Sequence, residues 1–235
     1  MNRILFAADE IVDGVATVSD ARAEHILDVL HGEVGQPLKT GEIDGGIGQG
    51  EIVAIDGRTV SVRVGRESES LRPWVNLVLA PPRPRAMKRL LPQLATMGVG
   101  RIFLVGAQKV EKDFWGATLL KPENYRPLLV DGLMQAGTSI LPTVEVRRNF
   151  RKFVNEELDV LLPSPNRIVA HPYGTDGRPP AAVGGCLTLA IGPEGGWTDD
   201  EVARLEAHGF RRYSLGPRIL RTDTATIALL ARLGE

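Results

Sequence analysis

From residue 75 onward the chain alternates short apolar runs with helical patterns, and this alternation admits few architectures. Val75–Ala80, Arg101–Val105, Arg167–Ala170, Leu187–Ile191 and Arg212–Leu215 have the length and composition of strands. Between the first two, a helix runs to about Met97 with Leu90, Leu91, Leu94 and Met97 on one side and Gly98 as a C-terminal stop. Pro92 must lie in its first turns or kink it, because proline has no N–H to give the preceding turn. Thr198-Asp-Asp-Glu201 is a capping box opening another helix, which Gly209 closes, and a final helix spans about Thr224 to Leu233. Strands separated by helices need crossover connections, so the expectation is an α/β domain with a mostly parallel sheet over residues 71–235.

The first seventy residues have a different character. Glu51–Ile55, Asp56-Gly57 and Arg58–Val64 read as a hairpin, with Val60, Val62 and Val64 alternating with Ser61 and Arg63. Asp-Gly suits a tight turn in which both central positions need positive φ. Asp44-Gly45-Gly46 marks another turn, and a short helix is expected over Ala21–Leu30, with Ile26, Leu27 and Leu30 sharing a face. The sum is a small β-barrel over residues 1–70. The polar stretch 66–73, which ends in proline, marks the boundary. Charge divides the same way: 6 basic against 13 acidic residues up to 70, and 22 against 16 after it.

Composition narrows the function classes. A net charge of −1 argues against a uniformly basic nucleic-acid binder, and 43% hydrophobic residues with 24% charged describe a folded chain. No apolar run approaches the roughly 20 residues of a bilayer span, and the N-terminus turns acidic too soon for a signal peptide. Cys186 is the single cysteine, expected in the core just before a strand. No Cys/His set has zinc spacing, so no metal is expected and the cytoplasm is the expected compartment.

Two segments carry chemistry. In Leu189–Trp197 a strand runs into Gly192-Pro-Glu-Gly-Gly196 and then a capped helix. Glycines at the C-terminal end of a strand let backbone approach a ligand, on the edge where open α/β sheets bind. It is neither a Gly-x-Gly-x-x-Gly fingerprint nor a P-loop. A structural turn would explain the glycines nearly as well. The second segment, Leu215-Gly-Pro-Arg-Ile-Leu-Arg-Thr-Asp-Thr-Ala225, again follows a strand and precedes a helix. Thr222 or Asp223 is expected to cap that helix, which leaves Gly216-Pro217, Arg218 and Arg221 unexplained by capping.

Together the two segments resemble the signature motifs of the RsmE family, S-adenosylmethionine-dependent methyltransferases acting on N3 of a uridine in 16S ribosomal RNA. The likeness extends to Ala23–Leu30, similar to a helix within a PUA-like barrel, to Met87–Val99, and to Ala170-His171-Pro172. It implies a SPOUT-class C-terminal domain with a trefoil knot, which sequence rules alone would not propose, and a homodimer with its site completed across the interface. It also implies a cofactor site of three loops: His171; Gly192, Pro193, Glu194, Gly195 and Gly196; and Leu215, Gly216, Ile219, Leu220 and Thr222. The backbone of Leu215, Ile219 and Leu220 would meet the adenine.

Uracil N3 carries a proton, so methylation requires its removal, and a fixed guanidinium would stabilise the charge left on the flanking carbonyls. Arg221 is the first candidate and Arg218 the second, with Thr224 or Asp223 holding the base or relaying the proton. Glu194 is a weak candidate for the proton acceptor, and nothing in the sequence identifies one outright. Arg83, Arg85, Lys88 and Arg89 are the expected RNA contacts. The chain departs from the family where Gln93 and Thr96 replace Lys and Glu, where Gly137-Thr138 lacks an arginine, and where Val29-Leu30 is followed by His31. The alternatives are a divergent SPOUT enzyme acting on another RNA site, or a non-catalytic ribosome-assembly factor that keeps the fold.

Overall fold

The computed structural model describes residues 2–173 and 186–234. The chain folds as two compact units. The first holds the residues up to Arg72 together with Val130–Leu141, and the second holds Pro73–Leu129 and the residues from Pro142 onward.

In the first unit β1 (Ile4–Phe6), β2 (Ile11–Val12), β3 (Val15–Val18), β4 (Pro37–Glu42), β5 (Ile47–Asp56) and β6 (Thr59–Arg63) form one sheet. Its order is β1-β4-β5-β6-β3-β2, antiparallel throughout except where β1 runs parallel to β4. The sheet curls because β5 changes partner along its length. Its first half pairs with β4 and its second with β6, with a bulge between Ile52 and Ala54 that adds local twist. The concave face buries Ile4, Phe6, Val18, Ile52, Val60, Val62 and Val64 in one cluster, so the alternation in β6 has the outcome its period predicts.

Two local expectations need correction. The β5–β6 turn centres on Gly57-Arg58, with Asp56 paired to Thr59 in the strands and only Gly57 (φ 57°) at positive φ. The Asp-Gly turn with both central residues at positive φ joins β2 to β3 instead, where Asp13 (φ 50°) and Gly14 (φ 79°) match a type I′ turn. The helix at Ala21 is regular only to Glu24, then widens into a π-turn over His25–Val29, where Leu30 N–H reaches the His25 carbonyl at 3.0 Å. The wider turn rotates the face, so Ile26 is buried while Leu30 is exposed.

In the second unit β7 (Val75–Leu79), β8 (Val99–Val105), β9 (Thr143–Arg147), β10 (Asn166–Ala170), β11 (Leu187–Ile191) and β12 (Arg211–Tyr213) form a sheet of order β12-β10-β11-β7-β8-β9. Every pairing in it is parallel. All of β11 and nearly all of β7 are buried, as expected of strands covered on both faces. The helix before β8 spans Pro84–Thr96 and begins with Pro84 as its first residue, so Pro92 lies well inside it. Proline there leaves the Lys88 carbonyl without its usual donor, and Thr96 Oγ1 donates to the Pro92 carbonyl at 3.0 Å one turn later. Gly98 (φ 78°) stops the helix as expected.

Asp199–Ala207 opens with the predicted capping box: Thr198 N–H donates to Glu201 at 2.9 Å, and Glu201 N–H to Thr198 Oγ1 at 3.4 Å. The last helix, Thr222–Leu233, has Arg221 at its N-cap with no side-chain cap, so neither Thr222 nor Asp223 caps it. Cys186 is exposed rather than in the core: it precedes β11, and burial begins at Leu187.

Candidate active site

Because the sheet is parallel, β12, β10 and β11 end at one edge, side by side. The loops that follow their last residues, Tyr213, Ala170 and Ile191, therefore open onto the same space, the position at which open α/β sheets take ligands. That space is a cavity of about 450 Å³. His171, Pro172 and Tyr173 form its first wall, Gly192 through Trp197 its second, and Leu215, Gly216, Arg218, Ile219, Leu220 and Thr222 its third.

Backbone and side-chain bonds tie the loops together. His171 N–H donates to the Tyr213 carbonyl at 3.1 Å, and Ser214 Oγ donates to the Pro172 carbonyl at 3.0 Å, which joins the first wall to the third. Thr222 Oγ1 donates to the Gly192 carbonyl at 3.3 Å, which joins the third to the second. Lys109 Nζ, beyond the end of β8, donates to the Gly195 carbonyl at 2.9 Å. Two glycines are required by geometry. A Cβ on Gly192 would come within 3.1 Å of the Trp197 backbone nitrogen and indole ring. Gly216 sits at φ 112°, a conformation L-residues rarely adopt.

The lining combines charged and apolar side chains. Leu215, Ile219 and Leu220 are exposed on the cavity rim although they are large and apolar, an arrangement that suits a flat, apolar ligand face. Trp197 is buried, and its indole N–H has no hydrogen-bond partner among the described residues. Lys109, Arg218, Glu194 and Asp199 supply the charged groups of the lining.

Every residue expected from the sequence to hold a cofactor lines this cavity. Of the expected catalytic residues, Arg218 does so, whereas Arg221 and Thr224 are exposed outside the wall. Arg83, Arg85, Lys88 and Arg89 are all exposed. Arg83 Nε donates to Glu111 at 2.9 Å and lies 3.5 Å from Glu194. The hydrogen bond to Glu111 raises its affinity for its proton. Arg89 reaches Asp223 at 3.2 Å. Lys109 and Tyr173 also line the cavity and belong to no sequence motif; the available signal is their place just past the C-terminal ends of β8 and β10.

Comparison with known proteins settles the family. A family model described as an RNA methyltransferase domain matches residues 69–234. Ribosomal RNA small subunit methyltransferase E of Treponema pallidum is 34% identical, over 98% of this chain and 90% of its own length. The chain belongs to the ribosomal RNA small subunit methyltransferase E family. Its likeness to the Synechocystis member is 27% identity over 98% of this chain and 76% of that protein. A methyltransferase from Legionella pneumophila, solved in complex with the bound cofactor SAM, superposes with a TM-score of 0.78 at 26% identity, covering 99% of this chain and 96% of the other. The small subunit methyltransferase E of Neisseria gonorrhoeae shares the fold, with a TM-score of 0.74, 21% identity, and coverage of 98% and 95%. Among the described residues no helix is long and apolar enough to cross a membrane, and no group of three or more His, Cys, Asp or Glu could hold a metal ion.

Proposed function

We propose that this chain transfers the methyl group of S-adenosylmethionine to N3 of a uridine in the 16S RNA of the small ribosomal subunit. The observation that carries the reading is the convergence of both glycine-containing motifs and His171 on one cavity at the carboxyl edge of the parallel sheet. The residues fit the cofactor. About 450 Å³ is within the range that small-molecule sites occupy. The packing of Gly192 against Trp197 leaves room for no larger residue in this wall, and the Trp197 N–H is a donor without an acceptor among the described residues. Leu215, Ile219 and Leu220 would hold the adenine, Gly192, Gly195, Gly196 and Thr222 the ribose and methionine parts, and His171, Pro193, Glu194 and Gly216 would complete the walls.

The bound cofactor supplies an electrophilic methyl on a sulfonium sulfur. The protein's part is to hold the uracil edge in line with it and to stabilise the charge left on the base when N3 loses its proton. Arg218 lines the cavity and is better placed for that role than Arg221, which stands at the helix N-cap. Thr224, exposed one turn away, would act on the substrate only from the rim. Arg85 and Lys88 would meet RNA phosphates along with Arg83 and Arg89. The first unit, as a PUA-like barrel, would dock the RNA, and the second would carry the trefoil knot. A homodimer would complete each site, and the protein would work in the cytoplasm.

Labelled S-adenosylmethionine, incubated with the protein and small subunits that lack the modification, is expected to label 16S RNA. Labelling of transfer RNA or large-subunit RNA instead would favour a divergent substrate, to which the acidic first unit and the missing arginine beside Thr138 would then point.

A further inference from the structure

Beside the cavity already described lies a second one of about 310 Å³, which shares Lys109, Pro193, Glu194 and Gly195 with it. Sheet order explains the adjacency. The first cavity stands over the ends of β12, β10 and β11, and the second over the loops that follow β11, β7 and β8. Its walls pair flat apolar surfaces, Pro81, Pro82 and Phe114, with the charged groups of Arg83, Glu111 and Glu194. That set suits a planar heterocycle whose edge carries one N–H donor between two carbonyl acceptors. Glu194 lines both cavities and Glu111 only the second. Glu111 accepts the Arg83 hydrogen bond at 2.9 Å, whereas Glu194 lies 3.5 Å from the same nitrogen and makes no hydrogen bond to it.

We propose that the second cavity receives the methyl-acceptor base and that Glu194, at the junction, takes its N3 proton; this rests on the uridine-N3 reading above. A base in this cavity lies next to the methyl donor, as in-line transfer requires. The N3–H bond breaks, the proton passes to a Glu194 oxygen, and the electron pair stays on the base. That pair forms the bond to the methyl carbon as the carbon–sulfur bond of the donor breaks, its electrons going to sulfur. Arg83, held by Glu111, keeps its positive charge at the wall of this cavity, and Arg218 in the adjoining one stabilises the charge that spreads onto the carbonyl oxygens.

The test is Glu194→Gln, with Glu194→Asp and Glu111→Gln beside it. For Glu194→Gln, affinity for S-adenosylmethionine by calorimetry and for 16S RNA by filter binding is expected to stay within about twofold of wild type, because the amide fills the same space. Turnover is expected to fall about 10²- to 10⁴-fold, the range of general base catalysis. The acid limb of the wild-type rate–pH profile should vanish with it, while Glu194→Asp and Glu111→Gln both keep that limb. Turnover within threefold of wild type, a fall with the acid limb intact, or loss of cofactor binding would each overturn the proposal. Absence of N3 methylation by the wild type would instead remove the reading beneath it.

Discussion

Gly216 gives the sharpest test of the cavity as a built site. Its φ of 112° lies where L-residues are strained, and a Cβ placed there meets nothing within 4 Å. The Gly216→Ala change therefore acts through the backbone alone. Holding a non-glycine residue in such a conformation costs about 1–3 kcal/mol. Leu215, Ile219 and Leu220 beside it are exposed, so the loop can relax instead of destabilising the unit. The cost then appears on binding, when the loop must return to its present shape. At about 1.4 kcal/mol per tenfold, affinity for S-adenosylmethionine should fall about 5- to 150-fold. The melting temperature without ligand should move by no more than about 2 °C. Calorimetric titration and thermal melting measure the two quantities. Gly116→Ala is the control, since a Cβ there also meets open space and its φ is outside the strained range. Wild-type affinity in Gly216→Ala would refute the claim that this loop shape forms the binding site.

Other predictions bear on the surrounding structure. Thr222→Val removes the bond from Thr222 Oγ1 to the Gly192 carbonyl; it should cost about 0.5–1.5 kcal/mol in urea unfolding and weaken cofactor binding. Leu77, wholly buried in β7, should cost about 2–5 kcal/mol when changed to Ala, and a loss under 1 kcal/mol would contradict its place in the core. Glu201→Ala removes the acceptor for Thr198 N–H and for Gln108 N–H, which it holds at 2.7 Å; a loss of about 1–3 kcal/mol is expected in thermal melts. Hydrogen bonds from Arg22 hold the Glu10 and Asp20 carboxyls below their ordinary range. Depressed carboxylate values mean stability that is fully present above the unfolded-state values and is lost as pH falls through the folded ones. Urea midpoints should therefore drop on acidification, more shallowly in Arg22→Met, and an unchanged slope in the variant would show that the pairing plays no part.

The parts legible from sequence were those in which local chemistry and tertiary context agree. Apolar runs such as Leu187–Ile191 are strands because both faces are covered, and Thr198 with Glu201 forms a cap that needs no partner elsewhere. The glycine motifs were legible because backbone at positive φ or in close packing leaves that residue little substitute. What escaped notice depended on the rest of the fold. Thr143–Arg147 carries Glu145 and Arg147, and it tolerates them because β9 is the sheet's edge strand. The widening at His25 has no local signature, and Asp13-Gly14 follows a strand, Ile11–Val12, too short to read as one arm of a hairpin. Arg218 and Arg221 belong to one motif, and only the fold separates them: Arg218 lines the cavity, whereas Arg221 is the exposed N-cap residue of the last helix. The second cavity draws on Pro81–Arg83, Lys109–Phe114 and Pro193–Gly195, segments that only the sheet order brings together.

The most direct test of the account is the identity of the methylated nucleoside. Small subunits lacking the modification would be incubated with the protein and labelled S-adenosylmethionine, and the RNA then digested and mapped by mass spectrometry. The account predicts N3-methyluridine at one position of 16S RNA. Cofactor binding with no transfer, or a methyl group on any other atom or RNA, would contradict it.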